Sequence, residues 1–289
     1  MCPHCSVSLS YHSDYGAPYL LCHACGYKAA VPDACPACGS DKLSFVGVGT
    51  QKAEAVLAAE GFRVIRMDAD TTGTKTSYER LLGRFRNGEA DVLLGTQMVT
   101  KGHDFPTVSL AGVLLADSSL YMSDFRAAER TFSLLTQVVG RAGRTQEPGI
   151  AVIQTYCPDN KVIRWAAKQD YESFYREEIA FRRAMLYPPF CDIAAVFLSH
   201  DNEAELLGAA TGAAGLLSRL FGRDKSLPAE IFGPLALQNY RVAEKFRVKL
   251  LIKCRLGTAV RALFGTFLSE FREQFPAVGA AVDFNPTDT

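Results

Sequence analysis

Six of the nine cysteines lie in the first 38 residues, in three identical spacings: Cys2-x2-Cys5, Cys22-x2-Cys25 and Cys35-x2-Cys38. Two intervening residues let both thiolates reach one ion from a single tight turn. Two such turns supply four thiolates and close a tetrahedron with no open position, which is the chemistry of structural Zn2+. Sixteen residues separate Cys5 from Cys22, within the spacing of paired zinc knuckles. Gly26 and Gly39 follow the second cysteines of their pairs, where the turn favours positive φ. A disulfide framework is the competing use of such pairs, and an intracellular chain disfavours it. Cys2, Cys5, Cys22 and Cys25 are therefore expected to hold one zinc. Cys35 and Cys38 are half a site, which either His4, His12 or His23 completes or a pair upstream of residue 1 does. Histidines beside knuckles are commonly solvated, so the upstream pair is favoured, a hint that residue 1 is not the natural beginning.

A second chemistry sits in QVVGRAGR, from Gln137 to Arg144. On a helix, Gln137, Gly140, Arg141 and Arg144 share one face at i, i+3, i+4 and i+7, with Leu134, Leu135, Val138 and Val139 turned toward a sheet. Glycines admit a ligand closely, and two guanidiniums aimed together suit a polyphosphate. Arginines at a helix end also favour the macrodipole as a merely solvated face, but the whole string is more specific than that. A third segment, GTQMVTKGHDFP, runs from Gly95 to Pro106 after an apolar run of strand type. Thr96 and Gln97 can bond a nucleic-acid backbone, and Gly102 and Asp104 a nucleotide; the plain reading is a polar crossover loop. GVGTQ, ending at Gln51, is a glycine-rich entry to a helix N-terminus that suits phosphate but is weak alone. Asp68 and Asp70 close a strand, where turn bonding is commoner than metal binding.

These groups need a frame. The chain has 289 residues, 48% hydrophobic and 21% charged, enough for two or three cored domains and incompatible with a disordered chain. Its 31 basic residues balance 31 acidic ones, so any nucleic-acid contact must come from a local patch. No stretch approaches the roughly 20 apolar residues of a membrane span, and MCPHC opens without secretory-signal features. A cytoplasmic chain without a membrane partner is expected. Residues 51–60, 77–86 and 124 to about 143 read as helices, and 63–67, 91–95, 109–116 and 149–156 as strands. This alternation makes a parallel α/β sheet with function at the strand carboxyl ends. Beyond it, a helical stretch over 161–185 precedes a β-α-β-β-α-β order, the ferredoxin-like split motif. Gly208 and Gly212 form a GxxxG in a charged, soluble helix. The expected fold class is α/β: zinc-ribbon knuckles over 1–44, a parallel-sheet lobe over 45–156, and an α+β ferredoxin-like domain over 157–289.

Together, QVVGRAGR and GTQMVTKGHDFP resemble the second, RecA-like motor lobe of superfamily 2 helicases. With the knuckles, DFRAAERTFSLLTQVVGRAGR and the later YPPF, the chain is similar to the carboxyl-terminal part of the primosomal replication-restart DNA helicases. The resemblance covers essentially the whole chain and is most specific from Cys2 to Tyr156. It implies an ATP-dependent 3′-to-5′ DNA helicase that restarts stalled forks and initiates primosome assembly, with ATP and Mg2+. The implied partners are forked and single-stranded DNA, primosome proteins and single-stranded-DNA-binding protein, in a cytoplasmic, nucleoid-associated setting. The family carries four CxxC pairs on two zincs, its inner pairs corresponding to Cys2/Cys5 and Cys22/Cys25. Cys35/Cys38 would then pair with an outer knuckle absent here. By the same resemblance Gly102, Asp104, Gln137, Arg141 and Arg144 contact nucleotide, the two arginines as catalytic fingers, while Thr96, Gln97 and Lys101 lie along the DNA track.

The sequence departs from the family in places. Gln51 stands where glutamate is common. Neither a G-x4-G-K-[ST] phosphate loop nor a DEAH-type sequence is present, and the family's first motor lobe and the first strand of its second lobe have no counterpart. The fragment is therefore expected to be inactive alone. Between Arg241 and Arg255, six basic residues face only Glu244, and Arg247, Lys249 and Lys253 would share one strand face opposite Phe246, Val248 and Leu250. Lys245, Arg247 and Lys249 are candidate DNA contacts, with a solvated sheet face as the alternative. The competing class for the whole is a zinc-ribbon DNA-binding scaffold with a degenerate, non-hydrolysing lobe. A small-molecule α/β enzyme is disfavoured, for no dinucleotide fingerprint or catalytic dyad occurs.

Overall fold

A computed structural model of the chain describes residues 2–4, 9–12, 18–22, 25–35, 38–40, 49–68, 71–72, 75–96, 99, 108–122, 124–140 and 149–287. It divides into two compact units, Val46–Ala180 and Met1–Phe45 together with Phe181–Thr289. The first cut lies beside the expected one after residue 44, but the second lies well beyond the expected one after residue 156.

In the unit holding both chain ends, three short strands, β1 (Ser10–His12), β2 (Tyr19–Leu21) and β3 (Lys28–Ala30), pair antiparallel in the order β1-β2-β3. The knuckle residues Cys2 and Cys22 are buried beneath them with Leu9, Tyr27 and Val242.

The Val46–Ala180 unit opens with α1 (Thr50–Ala59), β4 (Val64–Met67), α2 (Lys75–Arg86) and β5 (Val92–Gly95). It continues with β6 (Leu110–Val113), the short α3 (Asp117–Leu120), α4 (Ala127–Val139), β7 (Ile150–Ile153) and α5 (Lys161–Lys168). Pairing is parallel throughout, as the strand–helix alternation requires. Among the described residues it occurs as two pairs, β4–β5 and β6–β7, where a single sheet is expected. Each pair has its own small core. Ile65, Met67 and Leu82 pack beside β4–β5, with Tyr78, Leu81 and Phe85 on the helical stripe that the i, i+3, i+4, i+7 spacing marks. Phe132 and Leu135 pack with Ala116, Ile163 and Phe174 beside β6–β7.

The helix expected over 161–185 is two. α5 ends at Gln169 in the left-handed conformation (φ 54°), and the Asp170 carboxylate accepts the Ser173 N–H at 3.1 Å to start α6 (Tyr171–Ala184). Phe174 of α6 stacks on Phe132 of α4 with centroids 4.2 Å apart. That packing explains why the compact unit extends past residue 156.

The remainder is β8 (Asp192–His200), α7 (Glu203–Gly222), β9 (Glu230–Val242), β10 (Lys245–Cys254), α8 (Thr258–Gln274) and β11 (Gly279–Phe284). Four antiparallel strands in the order β11-β8-β10-β9 carry both helices on one face, the split β-α-β-β-α-β arrangement. Asn202 caps α7 by accepting the Glu205 N–H at 3.1 Å. Alternation sorts the strands: Ala194, Val196 and Leu198 of β8 and Val248, Leu250 and Ile252 of β10 meet Leu206, Leu217, Phe264, Phe267 and Phe271 of the helices. Of the GxxxG pair, Gly212 lies against the Phe275 ring, where a Cβ would come within 2.7 Å, whereas Gly208 faces open space. Ala243 (φ 48°) and Glu244 (φ 67°) make the two-residue turn between β9 and β10, both left-handed as a right-twisted hairpin demands.

Candidate functional site

The carboxyl ends of the parallel strands are braced by acids. Asp68, just past β4, accepts the Thr50 hydroxyl at 2.6 Å and the Thr71 N–H at 3.1 Å, with an Arg66 guanidinium nitrogen at 3.4 Å. Burial opposes its charge, but the bonds from Thr50 and Thr71 and the Arg66 cation hold its carboxyl below the usual range. Asp68 is thus turn bonding, as expected, and Thr50 of the GVGTQ segment spends its hydroxyl on that brace. Asp117, past β6, accepts the Thr155 hydroxyl at 2.7 Å and the Tyr156 N–H at 2.9 Å, tying β6 to β7. Those two bonds lower its carboxyl as well. The sequence reading missed Asp117; an acid directly after an apolar run was its only signal.

The start of the GTQ segment is set by a close approach. A Cβ on Gly95 would collide with the Met67 carbonyl oxygen and the Val99 side chain, so only glycine lets β5 end so near β4. Thr96 is exposed just beyond, its N–H 3.4 Å from the Met67 oxygen. Gln97, Lys101, Gly102 and Asp104 lie outside the described residues, as does Asp70. On α4, Gln137 is exposed while Leu135 is buried and Leu134, Val138 and Val139 are half-buried, the orientation expected. The helix stops at Val139 with Gly140 as its C-cap, short of the expected residue 143. A Cβ at Gly140 would meet the Thr136 oxygen at 3.2 Å and the Gln169 side chain at 3.5 Å. Arg141 and Arg144 lie outside the described residues, so their shared face is an expectation only.

At the knuckles, the sulfurs of Cys2, Cys22 and Cys25 lie within 4.8 Å of one another, and Cys2 and Cys25 are 3.7 Å apart. A disulfide needs about 2.05 Å. A thiolate tetrahedron with zinc–sulfur bonds of about 2.3 Å has edges of about 3.8 Å. The donor set therefore fits zinc, with Cys5, outside the described residues, as the expected fourth ligand. The turn is fixed by Gly26 N–H on the Cys22 oxygen (2.8 Å), Cys22 N–H on the Tyr27 oxygen (2.9 Å) and Gly26 at φ 76°. Cys35 repeats it: Gly39 N–H to Cys35 oxygen and Cys35 N–H to Ser40 oxygen are both 2.8 Å, with Gly39 at φ 70°. Cys35 and Cys38 join no ligand cluster among the described residues. His4 is paired with Glu244, and the side chains of His12 and His23 are outside the described residues.

On β10, Arg247 and Lys249 stand on the sheet face away from the helices, opposite Ser199 and Phe197 of β8. Neither their side chains nor that of Lys245 at the hairpin turn has a hydrogen bond or ion pair among the described residues. Lys253 drops out of the expected basic row. Its Nζ donates to the Met185 oxygen at 2.7 Å and sits over the Tyr187 and Phe232 rings at 4.2 and 5.2 Å.

Comparison with known proteins places both units. The family described as helicase conserved C-terminal domain matches residues 42–146, and that described as primosomal protein N C-terminal domain matches residues 183–287. The replication restart protein PriA of Bacillus subtilis (strain 168) is 44% identical over 289 residues, covering 99% of this chain and 35% of that protein. The protein of the same name in Synechocystis is 42% identical over 256 residues, 87% of this chain and 30% of its own. In Haemophilus influenzae the figures are 31% over 289 residues, 99% and 39%. The chain thus spans about a third of the length of the curated relatives it matches. With two domain matches in chain order and such identity over nearly its whole length, the chain belongs to the PriA family, whose carboxyl-terminal region it represents.

Proposed function

We propose that this chain is the second motor lobe and carboxyl-terminal domain of an ATP-dependent 3′-to-5′ DNA helicase that restarts replication forks and starts primosome assembly. The reading is carried by one observation above all: α4 exposes Gln137, buries its leucine face and ends directly before Arg141 and Arg144. Phosphoryl transfer needs a phosphate cradle, a Mg2+ ligand and a positioned water. The sequence has no phosphate loop or DEAH motif, so this chain supplies only the charge that stabilises the transition state, from Arg141 and Arg144. Gly102, Asp104 and Gln137 line the nucleotide; Thr96, Gln97 and Lys101 follow the DNA. Lys245, Arg247 and Lys249 add phosphate contacts on forked or single-stranded DNA. A zinc held by Cys2, Cys5, Cys22 and Cys25 supplies structural closure of the knuckles and no catalysis. Primosome proteins and single-stranded-DNA-binding protein are partners, in the cytoplasm, by kinship alone.

The test is steady-state ATPase with and without single-stranded DNA. The chain alone is expected at background, and a full-length protein carrying it active. Arg144→Ala in that full-length protein should lower kcat by roughly 10³ or more, as for arginine fingers, with DNA binding retained. Turnover by the chain alone, or normal hydrolysis by the Arg144→Ala protein, overturns the assignment; no turnover by the full-length protein leaves the non-hydrolysing scaffold reading.

A further inference from the structure

The knuckle that gathers Cys2, Cys22 and Cys25 is fastened to the tip of the β9–β10 hairpin, far along the chain. Glu244 N–H donates to the His4 oxygen at 3.3 Å, and its carboxylate pairs with the His4 ring at Nδ1. Arg241 donates from one guanidinium nitrogen to the Pro3 oxygen at 3.2 Å and from another to Glu244. Its guanidinium lies over the Phe246 ring, 5.0 Å from the centroid, which restricts its rotamers. Val242 packs into the cluster of Cys2, Cys22, Leu9 and Tyr27, and the His4 ring meets Tyr27 edge-on at 5.1 Å.

The contacts converge on one place. Pro3 and His4 are the two residues between Cys2 and Cys5, so the hairpin grips the turn that must aim both thiolates at one ion. The grip is made by a turn with little freedom of its own, since Ala243 and Glu244 are both left-handed and Val242 pairs with Lys245. Metal ligands are oriented by the groups just outside them, and losing such a group typically weakens metal binding about 10- to 100-fold.

We propose that the hairpin tip, through Arg241, Val242 and Glu244, is the outer support of the metal knuckle. It holds Pro3 and His4, beside Cys2, in place, so zinc retention and hairpin order form one equilibrium. This rests on reading Cys2, Cys22 and Cys25 as a zinc site. Linkage makes the coupling reciprocal: whatever factor the hairpin contributes to zinc affinity, zinc contributes to hairpin closure.

The experiment uses the full 289-residue chain loaded with Zn2+. Zinc release to a chromogenic chelator is followed in the parent, in Glu244→Ala and in Arg241→Ala. Each variant should hold zinc about tenfold more weakly, and Glu244→Gln, which keeps an acceptor oxygen, should fall between parent and Glu244→Ala. In the parent, stripping zinc should speed amide exchange at Glu244 by the same factor, with α7 and α8 unaffected. These residues lie outside the buried cluster of the four-stranded sheet, so its thermal unfolding should stay unchanged and serve as the folding control. Zinc held as tightly by both alanine variants as by the parent overturns the proposal and leaves the zinc site standing. A parent that takes up no zinc removes the zinc site and the proposal together.

Discussion

The four-stranded sheet and the parallel lobe are stabilised by different means. The four-stranded sheet buries one continuous face under α7 and α8, with Phe264, Phe267 and Phe271 fully inside. Among the described residues the parallel lobe has two pairs of strands, two small clusters, and exposed apolar residues at Leu110, Ile150 and Val152. What the lobe lacks in buried area it replaces with polar braces at the strand ends, Arg63 with Asp91 at one end of β4–β5 and Asp68 with Thr50 at the other. The difference teaches how far a small core leaves stability to polar contacts at the strand ends. An antiparallel sheet backed by helices closes one continuous core, whereas the short parallel pairs bury small clusters and rely more on polar contacts at their ends.

The sharpest way to break this comparison is truncation in each core. Phe267→Ala should cost about 3–5 kcal/mol, because the surrounding aromatic rings cannot collapse into the space. Leu82→Ala, in the small cluster beside β4, should cost about 2 kcal/mol, near the low end for buried leucines. Chemical unfolding read by circular dichroism for the sheet and by Trp165 fluorescence for the lobe checks both, since Trp165 lies against the α4 cluster. Equal losses at the two sites would mean the cores are equivalent after all.

A middle-sized effect is expected from the brace. Asp68→Ala leaves the Thr50 hydroxyl and the Thr71 N–H without their acceptor, and an orphaned buried partner costs about 1–3 kcal/mol. Trp165 fluorescence in urea would register it. A neutral outcome would show that the strand ends are held by the Gly95 approach alone.

How much of this was legible beforehand follows from the range of the interactions. Period and alternation located β4, β5, β7, β8, β10 and α2, because each rests on local side-chain burial. The knuckle turns were legible from Cys-x2-Cys-Gly alone, since two hydrogen bonds and one positive φ are local properties. The break at Gln169 and Asp170 was missed because the apolar stripe runs on through it; only the capping acid betrays it. Which strands pair among the described residues was invisible too, for pairing between distant strands leaves no local mark. The grip of Glu244 on His4 joins residues at opposite ends of the chain, and a lone acid in a basic stretch does not announce its partner. Of the candidate site, the exposure of Gln137 and Thr96 was legible from helix period and strand-end position. The loss of Lys253 to Tyr187 and Phe232 was not.

The basic row, shortened to Lys245, Arg247 and Lys249, gives a smaller and salt-dependent effect. Neutralising all three should weaken binding to forked DNA and flatten its dependence on salt by roughly 0.7–0.9 per lost phosphate contact. A titration at several salt concentrations measures the slope. An unchanged slope returns these residues to a solvated sheet face, which would make the sheet a purely structural element.

The smallest effect is expected at the other brace, and its pH dependence has a definite sign. Arg63 precedes β4 and Asp91 precedes β5; the guanidinium reaches both carboxylate oxygens at 3.0 and 2.6 Å, and the Arg63 N–H adds a bond of 2.9 Å. The Arg63 side-chain bonds, then its N–H, hold the Asp91 carboxyl at about 2, against an ordinary value of 3.8. A carboxyl lowered by folding adds stability that is fully present above its unfolded value and disappears as the pH falls through the folded one. The contribution should therefore be whole at pH 7, shrink between about pH 4 and pH 2, and vanish below. Both partners are solvent-exposed, so screening keeps it small. Asp91→Asn should unfold at slightly lower urea than the parent at pH 7, by Trp165 fluorescence, with the gap closing toward pH 2. Taking the difference between variant and parent cancels the other carboxylates that titrate in the same range. A gap that is constant with pH would mean Asp91 acts through geometry alone, its hydrogen bonds to Arg63 surviving as an amide.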